Sequence, residues 1–159
     1  MERKMFRYSL NVVLVEPEIP PNTGNIARMC AATGSVLHLV HPLGFRTDDR
    51  SLKRAGLDYW KNVQVVHHTG IKAFLEKNGD KELFLFTKRA ERLYTTAPWT
   101  PGCWLLFGSE TSGLPPELLE QYSERTYAIP MITEHVRSLN LSTAAGIVTY
   151  EACRQLHGW

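Results

Sequence analysis

The stretch "IPMITEHVRSLNLSTAAG", residues 129–146, decides how this chain is read. It joins an apolar run to the last helical pattern. It is long for a connection inside a compact domain, where the usual link is about four to six residues and longer ones are functional or disordered. Pro130, Ile132 and Leu139 argue for order. Ser138, Asn140 and Ser142 alternate with Leu139 and Leu141. A helix cap explains one such polar side chain, not three. The alternation anchors one side on apolar surface and offers hydroxyl and amide groups on the other. Ala144, Ala145 and Gly146 then open the closing helix with almost no bulk, which predicts close passage of another backbone segment.

Upstream, short apolar runs alternate with helical patterns. Strands are predicted over 10–16, 35–41, 63–68, 82–87, 103–110 and 125–130. Helices are predicted over 22–34, 47–60, 70–79, 115–122 and about 140–157. Asn22 or Thr23 would cap the first helix and Gly34 would stop it. Near-continuously apolar strands alternating with helices predict an α/β fold, a parallel sheet covered by helices on both faces. The 159 residues, 43% hydrophobic and 21% charged, fit one domain spanning 1–159, without repeats or linkers. In such sheets ligands bind beyond the carboxyl ends of the strands.

Two further loops leave strand ends. In "EPEIPPNTGNIARMC" (16–30), Pro17, Pro20 and Pro21 hold the strand exit extended, and Arg28 stands about one turn beyond Gly24. Taken alone, Arg28 reads as a solvated arginine on a capped helix. In "FGSETSGLP" (107–115), Gly108 at the strand end leaves room for a flat ligand against the backbone, with Gly113 following. Taken alone, this segment reads equally well as an ordinary strand-to-helix turn. It is neither a dinucleotide fingerprint nor a phosphate-binding P-loop, because both spacings fail.

Other chemistries find little support. Cys30, Cys103 and Cys153 are widely spaced and form no CxxC pair, so they read as buried free thiols of a reducing compartment. No metal-binding pattern is present; His67 and His68 end a strand without ligand partners and read as partly exposed. The four tryptophans read as core or interface residues. The apolar run 10–15 is too short for a signal peptide, no stretch reaches membrane-spanning length, and a cytoplasmic protein is expected. The net charge of +2 is mildly basic. Arg46, Arg50, Lys53 and Arg54 form one basic cluster, and Lys88, Arg89 and Arg92 a second. Each reads as a solvated face unless another feature implies RNA.

Taken together, "PPNTGNIARMCAATG", "LLFGSETSGLP" and "IPMITEHVRSLNLSTAAGIVTYEA" resemble the three motifs of the SPOUT superfamily, the knotted S-adenosylmethionine-dependent RNA methyltransferases. The resemblance covers almost the whole chain. With "KRAGLDYW" and the short length, it points to the minimal tRNA 2'-O-methyltransferases that act at the wobble nucleotide, cytidine or uridine 34. It implies a deep C-terminal trefoil knot, against the general rule that chains do not knot. It also implies a homodimer, S-adenosylmethionine as methyl donor with S-adenosylhomocysteine as product, no metal, and the anticodon stem-loop of tRNA as partner. Cofactor positions carried over are Phe86, Thr87, Gly108, Glu110, Ile129, Met131 and Ser138. Arg28, Asn25, Arg137 and Asn140 carry over to the catalytic site, and Tyr150 to RNA contact. The first basic cluster, Arg46, Arg50 and Lys53, then becomes an expected RNA-binding surface. The small start of the last helix becomes a requirement of the knot or the dimer, so Gly146→Leu is expected to impair folding or dimerisation. Methylation of another tRNA or rRNA nucleotide, of a base, RNA binding without catalysis, or a nucleotide-binding enzyme on an unknotted flavodoxin-like sheet are the rival readings.

Overall fold

The computed structural model describes residues 9–159, with the backbone alone for 55–59. The basic N-terminal stretch and part of "KRAGLDYW" therefore lie outside the described side chains. In chain order the main elements are β1 (Asn11–Val15), α1 (Pro20–Thr33), β2 (Val36–Val40), α2 (Arg50–Trp60), β3 (Val65–His68) and α3 (Ile71–Asn78). There follow β4 (Leu83–Phe86), β5 (Trp104–Phe107), α4 (Pro116–Gln121), β6 (Thr126–Tyr127) and α5 (Leu141–His157). The six strands form one sheet in the order β3-β2-β1-β5-β4-β6, and every pairing is parallel. Among the described residues no helix is long and apolar enough to cross a membrane.

The two-residue period of a strand sorts the core into two layers. Val12, Leu14, Leu37, Leu39, Leu105 and Phe107 face one side, where Ile26, Ala27 and Cys30 of α1 and Ala145, Val148 and Ala152 of α5 cover them. Val13, Val15, Val40, Leu85 and Leu106 face the other, with Phe74 of α3 and Leu118 of α4. Burial on both faces is why the central strands β1, β5 and β4 read as near-continuous apolar runs. All three cysteines are free and buried. Burial pushes the Cys30 thiol up to about 12 and Cys103 up to about 11, so neither supplies a thiolate nucleophile near neutral pH.

The start of α1 differs from expectation. Its first turn contains both Pro20 and Pro21, and Ile19 precedes it without a side-chain cap. Proline lacks the N–H that a first turn leaves unpaired, and its fixed φ suits a helix start. The prolines begin the helix rather than delay it, which leaves the Asn22 side chain available for other partners. Gly34 ends α1 as expected, in the left-handed conformation at φ 68°.

His68 is buried, contrary to its reading as partly exposed, and it stacks on His38 of the neighbouring strand. Asn11 donates its Nδ2 to the Gly102 carbonyl, which leaves Oδ1 to accept from His38 Nε2 at 3.0 Å. His38 Nδ1 must then accept from His68 Nε2, also at 3.0 Å. The pair is held neutral. Burial, with His68 and Lys77 nearby, lowers His38 from 6.5 to about 4, and His68 shifts the same way for burial and Lys77. Between those values the unfolded chain binds more protons than the folded one, so stability falls as pH drops from about 6.5 towards 4. The expected loss from His38 is on the order of 2–3 kcal/mol. Urea unfolding across that range should show the slope, and His38→Asn should flatten it.

Candidate functional site

At the sheet's centre the chain order reverses between β1 and β5, the place where open α/β sheets bind ligands. A cavity of about 610 Å³ opens there, within the range of small-molecule sites. Its walls are the segments that follow β1, β4, β5 and β6. Phe86, Phe107, Leu119, Ile129 and Leu141 supply apolar surface; Lys88, Arg89 and Arg137 supply positive charge. The seven positions expected to hold a cofactor, Phe86, Thr87, Gly108, Glu110, Ile129, Met131 and Ser138, all line it. So do Arg137 and Asn140.

Gly108 is required for a different reason from the one its position suggested. A Cβ built there would lie 2.0 Å from the Gly113 carbonyl carbon and 2.1 Å from the Leu114 nitrogen. The space is filled by the protein's own backbone, not left for a ligand. The loop 109–113 folds back on itself through reciprocal backbone bonds between Ser109 and Gly113, and Gly113 takes a left-handed φ of 69°. That tight fold presents backbone to the cavity.

The Glu110 carboxylate lines the cavity but is engaged by the first loop. It accepts from the backbone N–H of Glu18 at 2.9 Å and of Ile19 at 2.7 Å, and from Asn22 Nδ2 at 3.2 Å. Asn22 Oδ1 in turn accepts from Asn140 Nδ2 at 3.0 Å. Asn140 Oδ1 accepts from the Ser142 and Thr143 N–H groups and from the Ser142 hydroxyl, capping α5. One continuous chain of polar contacts thus ties the three loops together. The Asn22–Asn140 pair shows what the alternation in 138–142 is for: one residue both caps a helix and joins two loops. Leu141 is the buried anchor of that alternation.

Outside this network the 131–138 excursion is solvent-facing. Ile132 is fully exposed and Val136 is 55% exposed. Lys88 fastens it at one point, donating to the Arg137 carbonyl at 2.8 Å. Lys88, Arg89, Asn22 and Leu119 line the cavity although the sequence did not single them out as cofactor residues. A lysine after a strand carries no local sign of the carbonyl it meets 49 residues away.

Asn25 and Arg28 do not line the cavity. Both lie on the solvent face of α1, whose opposite face buries Thr23, Ile26, Ala27 and Cys30. Arg28 is six residues beyond Asn22, about 9 Å along the helix axis. Tyr150 is exposed on α5. Arg46 pairs with Asp48 through two contacts at 3.0 and 3.1 Å, while Arg50 and Lys53 project one turn apart from α2, both exposed. Gly146 corrects an expectation: among the described residues a Cβ there meets nothing within 4 Å, so none of them requires a glycine at that position.

The class comes from comparison with known proteins: the chain is an RNA methyltransferase. It belongs to the SpoU rRNA methylase family, whose model matches residues 9–150. The fold is that of the SPOUT methyltransferases, as the motifs implied. The chain is 47% identical over 148 residues to the tRNA (cytidine(34)-2'-O)-methyltransferase of Escherichia coli strain K12, covering 92% of this chain and 94% of that one. A solved structure that concerns 2-OH methylation of C/U34 on tRNA superposes with a TM-score of 0.91 at 47% identity, covering 96% of this chain and 99% of the other. An AdoMet-bound rRNA methyltransferase from Sinorhizobium meliloti superposes with a TM-score of 0.83 at 25% identity, covering 93% of this chain and 57% of that one.

Proposed function

We propose that this chain transfers the methyl group of S-adenosylmethionine to the ribose 2'-hydroxyl of the wobble nucleotide of tRNA, cytidine or uridine 34, releasing S-adenosylhomocysteine. The observation that carries the reading is the 47% identity to a tRNA (cytidine(34)-2'-O)-methyltransferase over nearly the full length of both chains. Residues 9–150, which the family model matches, then act as the catalytic domain.

The cavity fits the cofactor. Its apolar walls at Phe86, Ile129 and Leu119 suit a flat base, backbone at 108–113 and 129–131 offers donors and acceptors, and Lys88, Arg89 and Arg137 suit a carboxylate. When bound, the sulfonium supplies an already activated methyl. The protein's task is to bring the acceptor oxygen into line with it and to exclude water. A 2'-hydroxyl is a weak nucleophile and must lose its proton as the bond forms. A guanidinium stays protonated at neutral pH and is a poor base. Arg28 therefore favours developing alkoxide character and holds the adjacent phosphate with its fork. Arg137 acts at the cavity mouth. Asn140 and Glu110 hold the three loops in place, and Asn25 and Tyr150 face the RNA.

Arg50 and Lys53 grip the anticodon stem-loop through its phosphates. Replacing both with alanine is expected to weaken tRNA binding and to reduce the slope of log affinity against log salt by up to about 2. An unchanged slope across a salt series would refute that role.

The family fold further implies the trefoil knot and a homodimer. Thr143, Gly146, Ile147 and Tyr150 share one side of α5, and space stands open over Gly146. A second copy would close over that side around Gly146 and leave Tyr150 at its rim, towards the RNA. Gly146→Leu is expected to fold but to shift dimer towards monomer in sedimentation; an unchanged dimer would place the interface elsewhere.

The deciding experiment is methyl transfer to total tRNA from a strain lacking this activity, followed by nuclease digestion and mass spectrometry. Label on the 2'-oxygen of nucleotide 34 supports the reading. Label on a base or at another position transfers it to a rival, and S-adenosylmethionine binding without transfer favours a non-catalytic RNA-binding module.

A further inference from the structure

The Glu18 side chain makes contacts that the cavity itself does not explain. Its carboxylate accepts from the Thr111 hydroxyl at 3.1 Å and from the Thr111 N–H at 3.4 Å. In the opposite direction the Glu18 and Ile19 N–H groups donate to Glu110. The two loops therefore clasp each other reciprocally: residue 18 holds 111, and residue 110 holds 18 and 19. The clasp spans the seam between β1 and β5, neighbours in the sheet and 92 residues apart in sequence.

A third segment meets the same residue. Gly44, in the connection from β2 to α2, donates its N–H to the Pro17 carbonyl at 2.9 Å, and a Cβ at Gly44 would lie 2.7 Å from the Glu18 Cα. Glu16, two residues before Glu18, holds a left-handed φ of 54°, rare for a residue with a side chain and a mark of a backbone over-determined by its surroundings. Glu18 thus stands where the cavity wall (109–113), the start of α1 and the approach to the basic helix α2 converge.

We propose that Glu18 is a positioning residue. By holding Thr111 it fixes the 109–113 wall against the N-terminal turn of α1, so that a cofactor lying on that wall is in register with Asn25 and Arg28 further along the helix. This rests on the methyltransferase reading above. Glu18 itself touches neither cofactor nor RNA; its effect is on the geometry between them. Reactions that demand near-linear alignment lose rate steeply on small displacements, while binding of either partner alone loses little.

The test is steady-state methyl transfer to tRNA by wild type, Glu18→Ala, Thr111→Val, Thr111→Ser and the Glu18→Ala/Thr111→Val double variant. Amide hydrogen exchange across 109–113 is measured alongside. The expected result is a roughly tenfold fall in kcat for Glu18→Ala and for Thr111→Val, with KM for S-adenosylmethionine and for tRNA within about threefold of wild type. Thr111→Ser keeps the hydroxyl and should recover most of the kcat that Thr111→Val loses. The double variant should be no worse than the poorer single one, as for two ends of one contact. Exchange at 109–113 should quicken in Glu18→Ala. Wild-type kcat in Glu18→Ala, a rise confined to the KM for S-adenosylmethionine, or multiplying effects in the double variant would overturn the proposal. Should Glu18→Ala not fold, the exposed Thr111 pair decides alone: Val slow with Ser recovering most of the rate supports it, Val and Ser alike overturns it. Wild-type protein inactive on all tRNA would sink the methyltransferase reading instead, and the exchange measurement would then decide the clasp by itself.

Discussion

Gly108→Ala is expected to yield a protein that no longer binds S-adenosylmethionine or S-adenosylhomocysteine measurably and is destabilised by about 3 kcal/mol or more. The added methyl would sit 2.0 to 2.4 Å from three backbone atoms of Gly113 and Leu114. A flexible side chain could swing away from such a methyl; this backbone cannot without breaking the loop. Ser109 and Gly113 are cross-bonded at 3.0 and 3.3 Å, and Leu114, next in line, is buried. Relief therefore requires the 109–113 wall to unfold into the cavity, and the Glu110 and Thr111 contacts to the first loop go with it. Calorimetry with S-adenosylhomocysteine reads the binding and urea unfolding the stability. Wild-type affinity in Gly108→Ala would show that the wall is not what the cofactor meets.

Arg28 gives the second large effect, of a different kind. Arg28→Ala is expected to lower kcat by about a hundredfold to a thousandfold, the range for removing one stabiliser of developing negative charge. Affinity for S-adenosylhomocysteine should stay unchanged, because Arg28 lies outside the cavity. Arg28→Lys keeps the charge and loses the fork, so turnover should still fall more than tenfold. Full turnover in Arg28→Lys, measured on the same tRNA preparation, would rule out the bidentate role. Gly108 fails by losing a binding surface, Arg28 by losing rate on an intact one; the two measurements together separate wall from chemistry.

The element boundaries show where local rules were enough. β1, β2 and β4 were legible because both faces of each strand are buried, which writes a near-continuous apolar run into the sequence, interrupted by His38 in β2. Gly34 stopped α1 where a left-handed residue was needed. β6 was legible only as a longer strand over 125–130, and the structure keeps Thr126–Tyr127. It is the edge of the sheet, pairing β4 alone as a strand; beyond it Ala128 bridges to Leu93 and Ile129 turns to the cavity. The prolines of 20–21 were misread because proline forbids a helix interior and favours a helix start with the same chemistry, and only the backbone path distinguishes them.

Within the site, the chemical character of the cavity lining followed from sequence, and the partners did not. The three loops and their glycines were legible from residue type and order, since a strand end, a turn and a cap are local events of a few residues; the cofactor positions came only from the resemblance of the three motifs to the SPOUT superfamily. Which polar atoms remain for a ligand is a question about residues about 90 to 120 positions apart: Glu110 is engaged by Glu18, Ile19 and Asn22, and Asn140 by Asn22. The same holds for Gly108, whose missing side chain makes room for Gly113, and for Gly146, whose missing side chain makes room for nothing among the described residues. A sequence states which groups a residue brings; the parallel sheet, by setting β1 beside β5, decided which of those groups hold the loops together and which still face the cavity.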